Sequence, residues 1–255
     1  MASPQNRLPS LRTAAHHRAA QSVQMRSPEH LSLTTSIASK KDASTAARNF
    51  TEPTRHNFAA GATHADIETC LTRAWNTVID VAASTPHESQ GPLVDIVRAV
   101  QEQSLTHGGE NECTIWGEKM KVWNDMPLFG PTMRGAWNRA AGSSSKNDFS
   151  AEQWCNLNAF VARLSSLSES IPAFDFTLYG IWTMRSAFEG TNKGSPADED
   201  AAKVWFIYAK DTIEKLSREE KTFDGKIAQG GDKYKDQEWR GFNSKRLDIW
   251  QAAVQ

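Results

Sequence analysis

Apolar residues recur along the chain with the period of a helix, most clearly at Ile67, Cys70, Leu71, Ala74, Trp75, Val78, Ile79 and Ala82. That is an i, i+3, i+4, i+7 stripe. Thr63 stands where an N-cap belongs, with Asp66 and Glu68 in the first turn, where the helix dipole favours acids. A loop from Ser84 to Gly91 follows, and Pro92 sits where a first helical turn tolerates it. Leu93, Ile96, Val97 and Val100 stripe a second helix that His107-Gly108-Gly109 breaks. Residues 113–123 (CTIWGEKMKVW) predict a short helix despite Gly117, and Asn124–Pro131 a rigid, irregular connector. Pro131 opens the next helix, through Met133, Arg134, Trp137 and Asn138, and residues 143–147 form an exposed loop.

Ser150 and Gln153 fit a capping box ahead of a helix with Trp154, Leu157, Asn158, Val161 and Leu164 on one face. Pro172 opens another, with Phe174, Leu178, Ile181, Trp182, Arg185 and Phe188 inward and Gly190 as its stop. Ser195-Pro196, followed by Asp198, Glu199 and Asp200, starts a helix burying Ala201, Val204, Trp205, Tyr208, Ala209, Ile213 and Leu216. Asn243 caps a last helix carrying Leu247 and Trp250. No segment alternates convincingly with period two. The pattern predicts an all-α fold, a single irregular domain of seven or eight mostly antiparallel helices over residues 61–255.

Residues 1–60 are rich in Ser, Ala, Thr, Arg and His with few large apolar side chains, which predicts a disordered basic tail. Its first 28 residues contain no acid and carry Arg7, Arg12, Arg18 and Arg26. That composition also outlines a mitochondrial presequence, although Pro4 and Pro9 interrupt it and its apolar face is thin. The localisation expected is therefore cytoplasmic, with the mitochondrial matrix as the alternative.

Charge sharpens this division. The formal net charge of −1 combines +5 over residues 1–50 with −6 over residues 51–255. A mildly acidic body argues against a nucleic-acid partner. No apolar run reaches the roughly 20 residues that cross a bilayer, so no membrane partner is expected either. Nine tryptophans against three tyrosines mean that buried indole N–H groups need acceptors inside the core. Cys70, Cys113 and Cys155 are widely spaced and odd in number, which reads as buried thiols in a reducing compartment.

The seven histidines all lie at or before His107, so residues 113–255 contain no imidazole. A Cys–His or Ser–His pair would have to draw on loops flanking the first helices, and no helix shows metal-ligand spacing. Gly108-Gly109 and Gly230-Gly231 follow no strand and form no phosphate loop. No catalytic residue, metal or cofactor is implied. Asp125, Glu152 and Glu189 lie near apolar faces and could serve carboxylate chemistry if burial raises a pKa, whereas Asp125 before a Pro turn ordinarily caps its own backbone.

The densest constellation runs from Trp116 to Arg163. Its candidate ligand- or partner-binding residues are Trp116, Trp123, Asp125, Arg134, Trp137 and Asn158, to which Arg185 is added from the inward face of a later helix. An amide at Asn158 on an apolar face needs its hydrogen bonds satisfied. Either it and the indoles tie the connector to the core, or they line a pocket for an unknown small molecule or protein. Arg185 poses the same choice and has Glu189 one turn on as its expected ion-pair partner.

The runs WNDMPLFGPTMRGAWN (123–138) and WCNLNAFVARL (154–164) resemble an uncharacterised fungal family. LYGIWTMRSAFE (178–189), AAKVWFIYA (201–209) and GFNSKRLDIW (241–250) continue the likeness, although Leu247 stands where tryptophan is expected. The resemblance spans about residues 63–252. It implies a small, largely helical intracellular protein of unknown function and carries over no activity. The sequence thus points to a non-enzymatic helical binding or interaction protein. The alternative is a small-molecule enzyme of fungal specialised metabolism using buried carboxylates.

Overall fold

The computed structural model describes residues 27–104, 112–141 and 148–254, so the expectations for residues 1–26, for the His107-Gly108-Gly109 break and for the 143–147 loop lie outside the described residues. Where the pattern predicts one domain, the chain falls into two compact units. One holds the described chain up to Val81 with Asp95–Asp148; the other holds Ala82–Val94 with the chain from Phe149 on. The fold is mostly helical as expected, but the described residues form ten α-helices and one small hairpin, more helices than predicted.

The first unit begins with α1 (Pro28–Ala38) and α2 (Ala43–Ala59), inside the stretch expected to be tail. Composition misleads there because order comes from capping and small side chains. Ser27 Oγ accepts from the His30 N–H at 3.1 Å and Asp42 Oδ1 from the Thr45 N–H at 2.9 Å. Leu33, Ala46, Ala47 and Phe50 bury a close-packed face that needs few large residues. Fully buried Glu29 accepts from Nε and Nη2 of Arg73, at 3.0 and 2.6 Å, on α3 (His64–Ser84). At the start of α3 Thr63 and Asp66 exchange side-chain and backbone bonds as a capping pair.

After α4 (Gly91–Gln101), the helix expected over 113–123 is instead a hairpin of β1 (Glu112–Ile115) and β2 (Glu118–Lys121), with Cys113 opposite Met120. Cys113 and Ile115 alternate inward with a β-branched Thr114 between them, a period of two. Trp116 (φ 50°) and Gly117 (φ 86°) are both left-handed, the type I′ geometry that joins twisted strands in two residues. Asn-Gly would have signalled this turn; a tryptophan in the first place conceals it.

The connector is irregular, as predicted. Trp123, Met126 and Leu128 have φ of 74°, 47° and 66°, conformations that cost roughly 1–2 kcal/mol each for residues with a Cβ. Tertiary bonds offset that strain. Trp75 Nε1 donates to the Pro127 carbonyl at 2.7 Å, and Gln101 and Asn124 exchange side-chain-to-backbone bonds at 3.0 and 2.8 Å. The Trp75 ring packs edge-on against Trp123 and Phe129, with centroids 5.4 and 5.1 Å apart. α5 (Phe129–Trp137) follows.

In the second unit, α6 (Ala151–Ser165) opens with the predicted Ser150–Gln153 capping box and is buried nearly all round from Trp154 onward, so it is the central helix. α7 (Thr177–Phe188) starts later than Pro172, because the Asp175 carboxylate accepts from the Thr177 hydroxyl at 2.6 Å. Its buried face holds Gly180, Ile181, Met184 and Ala187, while Leu178, Trp182, Arg185 and Phe188 are only half-buried, contrary to expectation. Gly180 sets that rotation: a Cβ there would lie 3.0 Å from the Trp205 ring. The single helix predicted from Ser195 to Leu216 breaks at Ala209 into α8 (Pro196–Tyr208) and α9 (Lys210–Arg218), just where Tyr208 is held by its neighbours. α10 (Ser244–Val254) is capped by Asn243, whose Oδ1 accepts from the Arg246 N–H at 2.9 Å.

Candidate functional site

The candidate residues divide between the units. In the first, Trp116 sits at the hairpin turn with 68% of its surface exposed, its backbone N–H donating to Glu68 Oε1 at 2.9 Å. Trp123 and Trp137 are buried, and Arg134 is exposed on α5. Asp125 is exposed and accepts from the Lys121 N–H at 2.7 Å, the backbone-capping role that its place before a Pro turn suggests.

In the second unit, fully buried Asn158 is a bracket in the core. Its Oδ1 accepts from Thr183 Oγ1 at 2.7 Å and Trp205 Nε1 at 2.9 Å, and its Nδ2 donates to the Trp154 carbonyl at 3.0 Å. Both acceptor sites of Oδ1 and one Nδ2 hydrogen are used inside the protein, and with no exposed surface the amide presents nothing to solvent.

The expected Arg185–Glu189 pair is replaced by another. Glu189, with no exposed surface, is gripped by Arg246 of α10: Nε to Oε1 at 2.7 Å and Nη2 to Oε2 at 2.9 Å. Trp250 Nε1 (2.8 Å) and the Gly231 N–H (2.8 Å) complete the carboxylate's shell. Arg246 Nη1 also donates to the carbonyls of Ala228 and Gly241, both at 2.8 Å. Gly231 is required for this approach, since a Cβ there would lie 2.5 Å from the Glu189 carbonyl oxygen. Arg185 turns instead toward the Ile227 and Gln229 carbonyls, each at 3.4 Å. Sequence reasoning overlooked Arg246, though its position three residues after a helix cap and one turn before Trp250 placed it on the inward face.

Two clefts of similar size open to solvent among the described residues of the second unit. One, of about 500 Å³, is lined by charged residues of α9 and the 166–175 segment. The other, of about 540 Å³, lies between the Pro86–Glu88 turn, the first turns of α6 and one face of α8, and it alone brings a histidine and a cysteine together. Buried Asn156 forms its base, accepting from the His87 N–H at 2.9 Å and donating to the Ala83 carbonyl at 3.1 Å. His87 Nδ1 lies 2.7 Å from the Tyr208 hydroxyl and Nε2 3.2 Å from Glu88 Oε1. Arg163 donates to the His87 carbonyl at 3.1 Å and stacks 3.7 Å over the Tyr208 ring. Cys155 lies on the α6 wall. Burial, reinforced by the carboxylates of Asp200, Glu88 and Glu152, pushes its thiol up to about 11.

This arrangement disfavours nucleophilic chemistry. A histidine and a cysteine do share the cleft, and the histidine comes from a loop beside the first long helices, the only source the sequence allowed. However, both imidazole nitrogens are engaged by Tyr208 and Glu88, and the thiol stays protonated at neutral pH. Among the described residues, no group of three His, Cys, Asp or Glu could hold a metal ion, and no helix is long and apolar enough to cross a membrane.

A model of a family of proteins of unknown function, DUF3632, matches residues 75–254, and the chain belongs to that family. The match begins at Trp75 within α3 and takes in every candidate residue above, while α1 and α2 precede it. No curated protein and no solved structure matches the chain.

Proposed function

We propose that this protein is a non-enzymatic binding protein and that the cleft walled by α6 and α8 is where it engages its ligand or partner. The observation that carries this is the contrast between polar groups that are consumed internally and an apolar surface that is not. Asn156 and His87 spend their hydrogen bonds on neighbouring protein groups, whereas Ile207, on the rim, keeps 61% of its surface exposed. Two of the three carboxylates that an enzyme would have used are spoken for, Glu189 by Arg246 and Asp125 by the Lys121 backbone. The thiols of Cys70, Cys113 and Cys155 are unpaired, which supports residence in a reducing compartment such as the cytoplasm.

A thermal-shift screen against metabolites, cofactors and peptides, run beside an Ile207→Ser variant, tests the reading. The expected result is a ligand that raises the melting temperature, is recovered unchanged, and loses at least tenfold in affinity in the variant. Conversion of any compound that Glu152→Gln abolishes would overturn it.

A further inference from the structure

The two walls of the cleft carry different chemistry, and together they describe an occupant. Along α8, Asp200, Lys203, Val204 and Ile207 follow at i, i+3, i+4 and i+7, so they share one face over roughly 10 Å. Glu152 and Cys155 face the cleft from the first turns of α6, and Glu88 from the preceding turn. Three carboxylates meet one ammonium and one imidazole. Lys203 is bound to Asp200 at 3.0 Å and His87 Nε2 lies 3.2 Å from Glu88, which leaves Glu152 as the carboxylate with no cation beside it in the cleft. The cleft is therefore acidic beside an exposed aliphatic side chain.

Resting on the binding reading above, we propose that the cleft docks a basic amphipathic helix of a partner protein, its aliphatic residues over Ile207 and its Lys or Arg side chains against Glu88, Glu152 and Asp200. A groove walled by two helices and about two helical turns long fits a helix laid into it. Charge complementarity selects the sign. An apolar occupant would strip water from carboxylates without pairing them, and an acidic one would add like charge. A small cation would answer the carboxylates but leave Ile207 in water.

The experiment uses the full chain and three fluorescein-labelled peptides of sixteen residues, each with Leu on one helical face. The other face carries Lys, Gln or Glu. Affinity is read by anisotropy, and occupancy of the cleft by the slowing of iodoacetamide alkylation at Cys155. The Lys peptide is expected to bind at least tenfold more tightly than the Gln peptide and to protect Cys155. It should lose at least tenfold in a Glu152→Gln/Asp200→Asn variant and again in Ile207→Ser, with melting temperatures unchanged. Equal binding and protection by the Lys and Gln peptides would overturn the basic partner while leaving the binding reading intact. Binding without protection places the peptide elsewhere and overturns the proposal. If replacing Arg7, Arg12, Arg18 and Arg26 with Ser speeds Cys155 alkylation in the chain alone, the occupant is its own N-terminal segment, and the partner proposal falls.

Discussion

Replacing Arg246 with Met isolates the energetics of the second unit's interior. Methionine fills most of the volume of the arginine stem, so the perturbation is the lost guanidinium rather than a cavity. Glu189 would keep the Trp250 and Gly231 donors but lose both bonds from Arg246, and the carbonyls of Ala228 and Gly241 would lose their shared donor. Removing one partner of a buried ion pair costs about 3–5 kcal/mol, because the remaining charge stays buried without compensation. For a chain of this size that corresponds to a fall in melting temperature of roughly 6–20 °C. Urea titrations at pH 7, followed by far-UV circular dichroism and tryptophan fluorescence, measure it directly. Arg246→Lys should recover only part of the loss, since one ammonium cannot reach the carboxylate and two carbonyls together. A loss below 1 kcal/mol for Arg246→Met would refute the view that this pair holds α10 against the body of its unit.

Three further outcomes follow from the same geometry. Asp80 has its pKa raised by burial, only partly offset by Arg139 and His30. The folded state therefore binds its proton more tightly than the unfolded state, and this carboxylate subtracts stability at pH 7, a penalty that disappears as pH falls through the raised pKa. Asp80→Asn should raise the melting temperature at pH 7 and show no gain near pH 3; an equal gain at both values would contradict the assignment. Alkylation of Cys155 should keep accelerating up to a midpoint near pH 11, and a midpoint below 8.5 would mean that neither burial nor the neighbouring carboxylates raise its pKa. At the hairpin tip, Trp116→Asn places a residue that tolerates left-handed backbone at φ 50° and should stabilise the protein by about 1 kcal/mol, measured by urea midpoint. A destabilised variant would show that the exposed indole packs on something that holds the hairpin.

The amide at Asn158 shows how far a candidate site can be read from a sequence. Its place on an apolar stripe required that its hydrogen bonds be satisfied, and they are. Whether by core or by ligand could not be decided, because Thr183 and Trp205, which satisfy them, lie 25 and 47 residues away. The cleft was less legible still. His87, Glu152, Cys155 and Asp200 carry no common motif, and the bond between His87 and Asn156 spans 69 residues.

Local physics was sufficient where a cap or turn signal stands beside a run of large apolar residues. The Ser27 and Asp42 caps, just as close to their partners, could not be read that way because no such run follows them. The Thr63, Ser150, Ser195 and Asn243 caps, the stripe of α3 and the irregular 124–131 connector could all be read from neighbouring residues. Tertiary structure decided the rest. α1 and α2 are ordered by an ion pair to a distant helix and by small residues that composition counts as weak. The 113–121 segment became a hairpin because two left-handed residues closed it, and the α8–α9 break falls beside a tyrosine held from two other elements. Glu189 was visible as an inward acid one turn from Arg185, but only the folded chain brings Arg246 to it from 57 residues on. Periodicity reports which side of a segment is buried; it carries no information about which remote side chain will meet it there.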